Sequence, residues 1–484
     1  MGRPVGANAW APRGGGVRLS PSALRALSAL VDGPGLLTEA GALATYGRDW
    51  SGAFSGRPGA VVRPRDTDAV ARVVGFCARE GLAIVPQGGR TGLVGGAVPL
   101  DGEIVLSLER MRAVRRVDRE ERAIVVEAGL TLEGADLALR ASAMRLPVDL
   151  ASRGTAQVGG LLATAAGGVR HVRDGRLAAH VRGLEVVLGD GRLLANLSTL
   201  EKNNTGYGWA QLFLGSEGTL GVITAASIGT VPVAPAARAL WLTLPALEVL
   251  APLVERIRAR CLGLLAALEF VDRSAVEALA LAGVEARPPV GAAAPMHLLV
   301  ATEAGDGEAC EAALIAVAAA ATADGLAVDA ALAQDERERR ALWRVRESLP
   351  EAIGRLGRVR RYDVAVPLVA LGDLMDTVKA AVHARALPVR PVFYGHVAEG
   401  NIHLNMVLGA GADARLEAEL DAIVYDAVVA REGTISAEHG IGTLKRDHLH
   451  VMRSAAELRF MAELKRLCDP AGILNPGKLL PPTA

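Results

Sequence analysis

The 484 residues carry 53 Lys plus Arg against 53 Asp plus Glu, with 51% hydrophobic and 3% aromatic residues. The balanced charge offers no basic surface for nucleic acid, the length allows two or three domains, and cores so short of aromatics must be built from Ala, Leu and Val. No apolar run reaches the length of a membrane span. Four scattered cysteines, Cys77, Cys261, Cys310 and Cys468, argue against a disulfide framework or an iron–sulfur site and fit a reducing compartment.

Residues 1–31 hold arginines and no acid but are rich in Gly and Pro, which favours the leader of a cytoplasmic protein over a mitochondrial transit peptide. Ser20-Pro21 caps a helix over Ser22–Leu30. Ala60–Val62 is a strand, Asp66–Glu80 a helix and Leu82–Val85 a strand, together a small βαβ unit. Ile104–Leu108, Ala113–Val117 and Ala123–Glu127 read as strands, Thr131–Ala143 as a helix, and Val181–Leu188 as a strand running to a Gly189-Asp190-Gly191 turn. Val231–Pro235 reads as a linker. Beyond it, Leu240–Leu244, Leu264–Val271 and Met296–Glu303 are strands alternating with helices over Leu247–Arg258 and Glu308–Ala323. Val364–Val366 and Val389–Phe393 are further strands, and the last fifty residues return to helix. The pattern predicts an α+β fold whose second half is an antiparallel sheet with helices on one face.

Four glycine-rich stretches interrupt the first half. The first is Pro86-Gln87-Gly88-Gly89-Arg90-Thr91-Gly92-Leu93-Val94-Gly95-Gly96, directly after a strand. The others are Gly154-Thr155-Ala156-Gln157-Val158-Gly159-Gly160, Thr164-Ala165-Ala166-Gly167-Gly168, and Gly215-Ser216-Glu217-Gly218-Thr219-Leu220-Gly221. Inward backbone N–H groups of such loops form anion-binding concavities. One such loop is equally a surface turn, and none matches a P-loop or a GxGxxG. Four in one half of the chain suit a long ligand, a dinucleotide better than a mononucleotide.

Two histidine clusters occupy the second half: Gly395-His396-Val397-Ala398-Glu399-Gly400-Asn401-Ile402-His403-Leu404-Asn405, and Ser436-Ala437-Glu438-His439-Gly440-Ile441-Gly442. From Asn401 the pattern alternates, placing Asn401, His403 and Asn405 on one strand face. Two imidazoles and a carboxylate suit a divalent metal with open positions, although spacing alone leaves satisfied core histidines as an equal or better reading. Two arginine-bearing runs, Trp343–Pro350 and Arg360–Pro367, offer guanidinium forks for carboxylates or simply a solvated basic face.

PQGGRTGLVGG, DLASRGTAQVGG, KNNTGYGWAQLFLGSEGTLGVIT and the terminal DPAGILNPGKLLP resemble the flavin-binding signatures of the vanillyl-alcohol oxidase / p-cresol methylhydroxylase superfamily. Within it the chain is similar to the FAD-linked D-2-hydroxyacid dehydrogenases, the branch that holds D-lactate dehydrogenase, the glycolate oxidase flavoprotein subunit and D-2-hydroxyglutarate dehydrogenase. The resemblance runs from about Ala60 to Pro481. It implies a p-cresol methylhydroxylase-type FAD-binding domain over 55–234, after an N-terminal leader and helix over 1–54. A substrate and metal domain then spans 235–434, and 435–484 returns to the flavin domain.

For FAD it implies contacts from Pro86, Gly88, Gly89, Arg90, Thr91, Gly92, Gly95, Gly96, Gly154, Thr155, Gly159, Gly160, Gly168, Glu217, Gly218, Gly221, Val222, Ile223 and Asn475. No histidine precedes His171, so the flavin is expected to be non-covalent. GHVAEGNIHLN and SAEHGIG resemble the branch's GHxGDGNxH and EHGxG signatures. By that likeness His396, His403 and Glu438 hold the metal (zinc first, manganese or iron as alternatives), His439 is the base, and Asn405 lines the substrate. Arg346 and Arg361 are the expected carboxylate partners, although Arg361 stands where the branch usually has lysine and Pro350 where it has threonine. The family's usual GGNxATNAGG appears here as Gly159–Gly168 with its two asparagines replaced by Leu161 and Ala165, which costs side-chain contacts to FAD.

The implied reaction is oxidation of a D-2-hydroxy acid, D-2-hydroxyglutarate first and D-lactate or glycolate second. The electron acceptor is an electron-transfer flavoprotein, a quinone or a cytochrome, and a homodimer is compatible with the sequence. A non-catalytic flavoprotein subunit or an oxidase is the alternative.

Overall fold

Short runs rich in Val and Ile, such as Ala60–Val62, Ile84–Gln87 and Ile104–Ser107, form strands in the first half. The computed structural model describes residues 19–481 and divides into two units. The first contains Met1–Gly167, Arg176–Val233 and Glu438–Ala484, and the second Gly168–Gly175 and Ala234–Ala437. Of the N-terminal leader, residues 1–18 lie outside the described residues.

In the first unit, β1 (Leu36–Leu37), β2 (Ala60–Val62), β3 (Ile84–Gln87) and β4 (Ile104–Ser107) form a sheet in the order β1-β2-β4-β3. β2 and β3 flank β4 in parallel, so the connection from β2 to β3 must cross over a face. The helix Thr67–Glu80 makes that crossover. The Asp66 side chain caps it, accepting from Ala69 N at 2.7 Å, and Gly81 ends it at φ 65°. Its Val70, Val73, Val74 and Cys77 fall at helical spacing on one face and are buried with Ile84, Ile104 and Leu106. The crossover thereby fixes the end of β3, where the first glycine loop begins.

A second, antiparallel sheet runs β5 (Val114–Asp118), β6 (Ala123–Glu127), β10 (Gly221–Gly229), β8 (Val181–Leu188), β9 (Leu193–Asn196). Between these strands β7 (Met144–Arg145) pairs with β11 (Val231–Pro232). The expected helix over Thr131–Ala143 is shorter, Leu132–Leu139, because a 3-10 turn follows and Ala143 turns left-handed at φ 52°. The C-terminal helix Ala455–Cys468 starts with a Ser454/Glu457 capping box. After it, Asn475 N donates to Ile84 O at 2.7 Å and brings the tail beside β3.

The second unit is built on a seven-stranded antiparallel sheet in the order β15-β12-β14-β13-β17-β18-β16. Its strands are β12 (Ala236–Leu244), β13 (Leu265–Asp272), β14 (Met296–Ala304), β15 (Asp329–Leu332), β16 (Val359–Ala365), β17 (Val389–His396) and β18 (Asn401–Leu408). Helices Arg273–Leu281, Glu336–Glu347 and Leu349–Arg355 pack against Trp241, Val271, Leu299 and Val392 on one face. The helix Gly307–Ala323 lies against β12 and β14, and intervening residues such as Leu240, Leu242, Leu268 and Phe270 are buried too. Successive strand residues point to opposite faces, so the central strands are apolar at nearly every position. The α+β architecture and antiparallel second sheet match the sequence expectation.

Candidate active site

In the first unit the four glycine stretches and the C-terminal tail converge. A Cβ at Gly88 would lie 3.5 Å from Gln157 Oε1 and 3.8 Å from Gly160 Cα. Gly96 faces Glu217 and Gly442 in the same way, at 3.3 and 3.7 Å. The Asn475 amide donates to Gly96 O at 2.9 Å and to Glu217 O at 2.7 Å, pinning the first and fourth stretches to the tail. The Pro86 ring packs on Gly218, which needs φ 70°.

These glycines divide by what a side chain would meet. A Cβ at Gly89 would run into the Thr155 carbonyl, so that glycine allows two loops to touch. At Gly92 and Gly160 nothing lies within 4 Å, so those two leave space beside the backbone. Buried Gln157 Oε1 and Asn475 Oδ1 find no protein partner among the described residues. Unsatisfied buried acceptors beside open backbone are what a polar, elongated ligand would satisfy, and the loops therefore fit FAD.

Arg90 and Glu217 serve the loops themselves. Arg90 takes φ 58°, stacks over the Tyr46 ring at 4.9 Å and approaches Glu109 at 4.0 Å. Glu217 accepts from Ile441 N and Gly442 N, both at 2.7 Å, and so shapes the turn after His439. Burial pushes its carboxyl up, against these two N–H groups and Lys445. Val222 and Ile223 lie buried in β10, just before its bulge. Gly167 abuts the Glu438 carboxylate, which would have to shift to admit a Cβ there. Gly154, Thr155 and Gly159 sit where the second stretch enters the helix Val158–Ala163, Thr91 and Gly95 in the first loop, and Gly221 at the start of β10. Gly168 falls in the second unit.

In the second unit, strand register builds one polar cluster. Glu269 of β13 pairs across from His396 of β17, Tyr394 across from His403 of β18, and His403 across from Asp363 of β16. Asn405 stands across from Arg361. Every second residue faces the same way, so all of these side chains share the face covered by the helix Glu336–Glu347. That helix is capped by Asp335, accepting from Glu338 N at 2.8 Å, and buries Leu342, Val345 and Arg346 at i, i+3, i+4. Arg346 is thereby delivered onto the sheet, 7% exposed.

The Glu269 carboxylate is fully buried and joins two of these groups. It accepts from Arg346 Nε at 2.6 Å through Oε2 and contacts His396 Nδ1 at 2.6 Å through Oε1. Burial alone would raise its pKa, but His396 and Arg346 hold it below the ordinary carboxylate value. His403 Nδ1 lies 3.4 Å from Asp363, whose carboxylate also accepts from Asn401 Nδ2 at 2.8 Å. Both imidazoles thus turn Nδ1 to a carboxylate and Nε2 toward each other, with 3.3 Å between the Nε2 atoms. Arg346 also stacks over Tyr394, with Cζ 4.5 Å from the ring centre. Burial raises the Tyr394 phenol, while Arg346, Arg361 and a hydrogen bond with Asn405 pull it down.

Glu438 and His439 open the C-terminal segment of the first unit. In the second unit Ala437 N donates to Asp363 O at 3.1 Å, immediately before the chain leaves it. Glu269, Asp363 and Tyr394 were not singled out from the sequence. The available signal for Glu269 was a lone carboxylate inside the apolar run Leu265–Val271.

The family described as "FAD linked oxidases, C-terminal domain" matches residues 234–479, and the "FAD binding domain" family matches residues 58–195. The mitochondrial D-2-hydroxyglutarate dehydrogenase of Bos taurus is 38% identical over 96% of this chain and 84% of its own. The D-2-hydroxyglutarate dehydrogenase of Xanthomonas citri is 37% identical over 92% and 94%. A putative mitochondrial D-lactate dehydrogenase of Schizosaccharomyces pombe is 36% identical over 93% and 87%.

Among solved structures, p-cresol methylhydroxylase with substrate bound superposes with a TM-score of 0.74 at 18% identity, covering 97% of this chain and 98% of its own. The 4-ethylphenol oxidase of Gulosibacter chungangensis gives 0.75 at 17% with the same coverage. Among the described residues no helix is long and apolar enough to cross a membrane. The chain belongs to the FAD-linked oxidase family, in its branch of FAD-dependent D-2-hydroxyacid dehydrogenases.

Proposed function

We propose that the chain oxidises D-2-hydroxyglutarate to the 2-oxo acid, using non-covalently held FAD and a divalent metal, zinc first. His396 and His403 would hold the metal, with Glu438 as third ligand. The observation that carries this reading is the 3.3 Å between the two Nε2 atoms. Zinc–nitrogen bonds of about 2.0–2.1 Å at a tetrahedral angle place two nitrogens about 3.3–3.4 Å apart. With Nδ1 of each ring at a carboxylate, the two Nε2 atoms face one another at the separation that two zinc-bound nitrogens would have. Carboxylate backing of a ligating histidine is the usual support of such a site.

A bound metal would lower the pKa of the substrate hydroxyl, and bound FAD would accept hydride from Cα. The remaining work falls to the chain. His439 takes the hydroxyl proton as general base, an effect worth about 10²–10⁴-fold. Asn405, buried beside His403, orients the substrate. Arg361 and the outer nitrogens of Arg346 bind carboxylate; two guanidinium groups around one Tyr394 favour a dicarboxylate over lactate. The relatives named as D-2-hydroxyglutarate dehydrogenases support the same order. Electrons then pass to an acceptor such as an electron-transfer flavoprotein, a quinone or a cytochrome.

Steady-state reduction of an artificial dye tests the substrate. The kcat/KM for D-2-hydroxyglutarate should exceed that for D-lactate and glycolate by at least about tenfold, the value of one charged contact. A preference for either monocarboxylate would overturn the assignment.

A further inference from the structure

We propose that Glu269 is a positioning residue that couples the metal site to the carboxylate-binding site. The inference rests on the metal reading above. One buried carboxylate spends one oxygen on His396 Nδ1 and the other on Arg346 Nε, each at 2.6 Å. The first contact fixes the imidazole with hydrogen on Nδ1 and leaves Nε2 as the ligating atom, facing His403 Nε2. The second turns the guanidinium so that its remaining nitrogens are the ones offered to a substrate carboxylate, while the Tyr394 ring supports its face.

The bridge is rigid. Glu269 sits mid-strand in β13, paired to Leu299 on one side and His396 on the other. Its side chain is 1% exposed and that of Arg346 is 9% exposed. A shift of the guanidinium toward a bound carboxylate is therefore felt at the imidazole, and a metal at His396 biases the arginine reciprocally. A purely structural ion pair between the Glu336–Glu347 helix and the sheet would not require the second oxygen to meet a histidine.

The test uses the full-length, FAD-loaded chain and three proteins: parent, Glu269→Gln, and the double variant Glu269→Gln with Arg346→Met. The double variant removes both buried charges together, so it avoids an uncompensated arginine and folds even where the single variant is weakened. Zinc affinity is measured by competition with a chromophoric chelator, without substrate. Both variants should bind zinc about 10–100-fold more weakly than the parent, with parental circular dichroism for the double variant. Zinc affinity unchanged in the folded double variant would overturn the inference and reduce Glu269 to the counter-charge of Arg346. A parent that binds no zinc would instead defeat the metal reading itself and the inference with it, an outcome visible before any variant is made.

Discussion

His396 and His403 hold their Nε2 atoms 3.3 Å apart across the β17–β18 turn, each ring with a carboxylate at its Nδ1 edge. On the metal reading proposed above, removing either ring takes one ligand from the site. His403→Ala should therefore lower bound zinc to below about a tenth of the parent and reduce kcat by at least about 10²-fold, with flavin content unchanged. Metal analysis and the flavin spectrum of the same sample check this. Full metal content in the variant would contradict it.

Gly89 and Gly160 predict different losses. Gly89→Ala forces a methyl group into the Thr155 carbonyl and should cost about 1–3 kcal/mol of stability along with flavin retention. Gly160→Ala meets nothing within 4 Å and sits in a helix, so it should fold as the parent does. Thermal unfolding of the two apoproteins separates them; equal melting temperatures would refute the steric account.

Arg361 stands across from Asn405 and bears on Tyr394. Arg361→Met should lower kcat/KM for D-2-hydroxyglutarate by about 10–100-fold, the value of a charge-assisted hydrogen bond, and change D-lactate turnover by less than about threefold. Parallel losses on both substrates would show that Arg361 supports the fold and does not read the second carboxylate.

Acid should weaken the second unit through His297. This imidazole is fully buried, and its Nδ1 accepts from Trp241 Nε1 at 3.2 Å. Burial pushes it down to about 4, against the opposing pull of Asp272. Its folded pKa lies below the unfolded value of about 6.5, so between those values the unfolded chain binds a proton that the folded chain refuses. Stability is thus lost as pH falls from about 6.5 to about 4, by about 3 kcal/mol in total. Urea unfolding at about pH 7 and about pH 4.5 should show a smaller acid loss for His297→Gln than for the parent. Identical losses would exclude His297 as the source.

What the sequence made legible follows the range of the interactions. The alternation Asn401-Ile402-His403-Leu404-Asn405 is a local period of two, and β18 places Asn401, His403 and Asn405 on one face as expected. The helix Thr67–Glu80 announced itself by an Asp66 cap and an apolar stripe. The Glu336–Glu347 helix did not: its first five residues are all Glu or Arg before Ala341, Leu342 and Trp343 appear, so its apolar face was hidden, and from pattern alone a solvated basic face stood beside the carboxylate-binding role that the family likeness gave Arg346. Its partner Glu269 is 77 residues away, and only strand register brings the two together. The Glu217 carboxylate accepts from Ile441 N and Gly442 N, more than 220 residues on, a pairing the sequence did not suggest. Pairings over such separations leave no local pattern.

Metal-assisted oxidation of a D-2-hydroxy acid by bound FAD, as proposed, is tested by the anaerobic flavin spectrum of the purified protein during titration with D-2-hydroxyglutarate, before and after chelation. Bleaching of the band near ~450 nm by the hydroxy acid, lost on chelation and restored by zinc, is the predicted result. Bleaching that survives complete removal of metal would contradict the metal role. A flavin band that no 2-hydroxy acid bleaches would contradict the reaction itself.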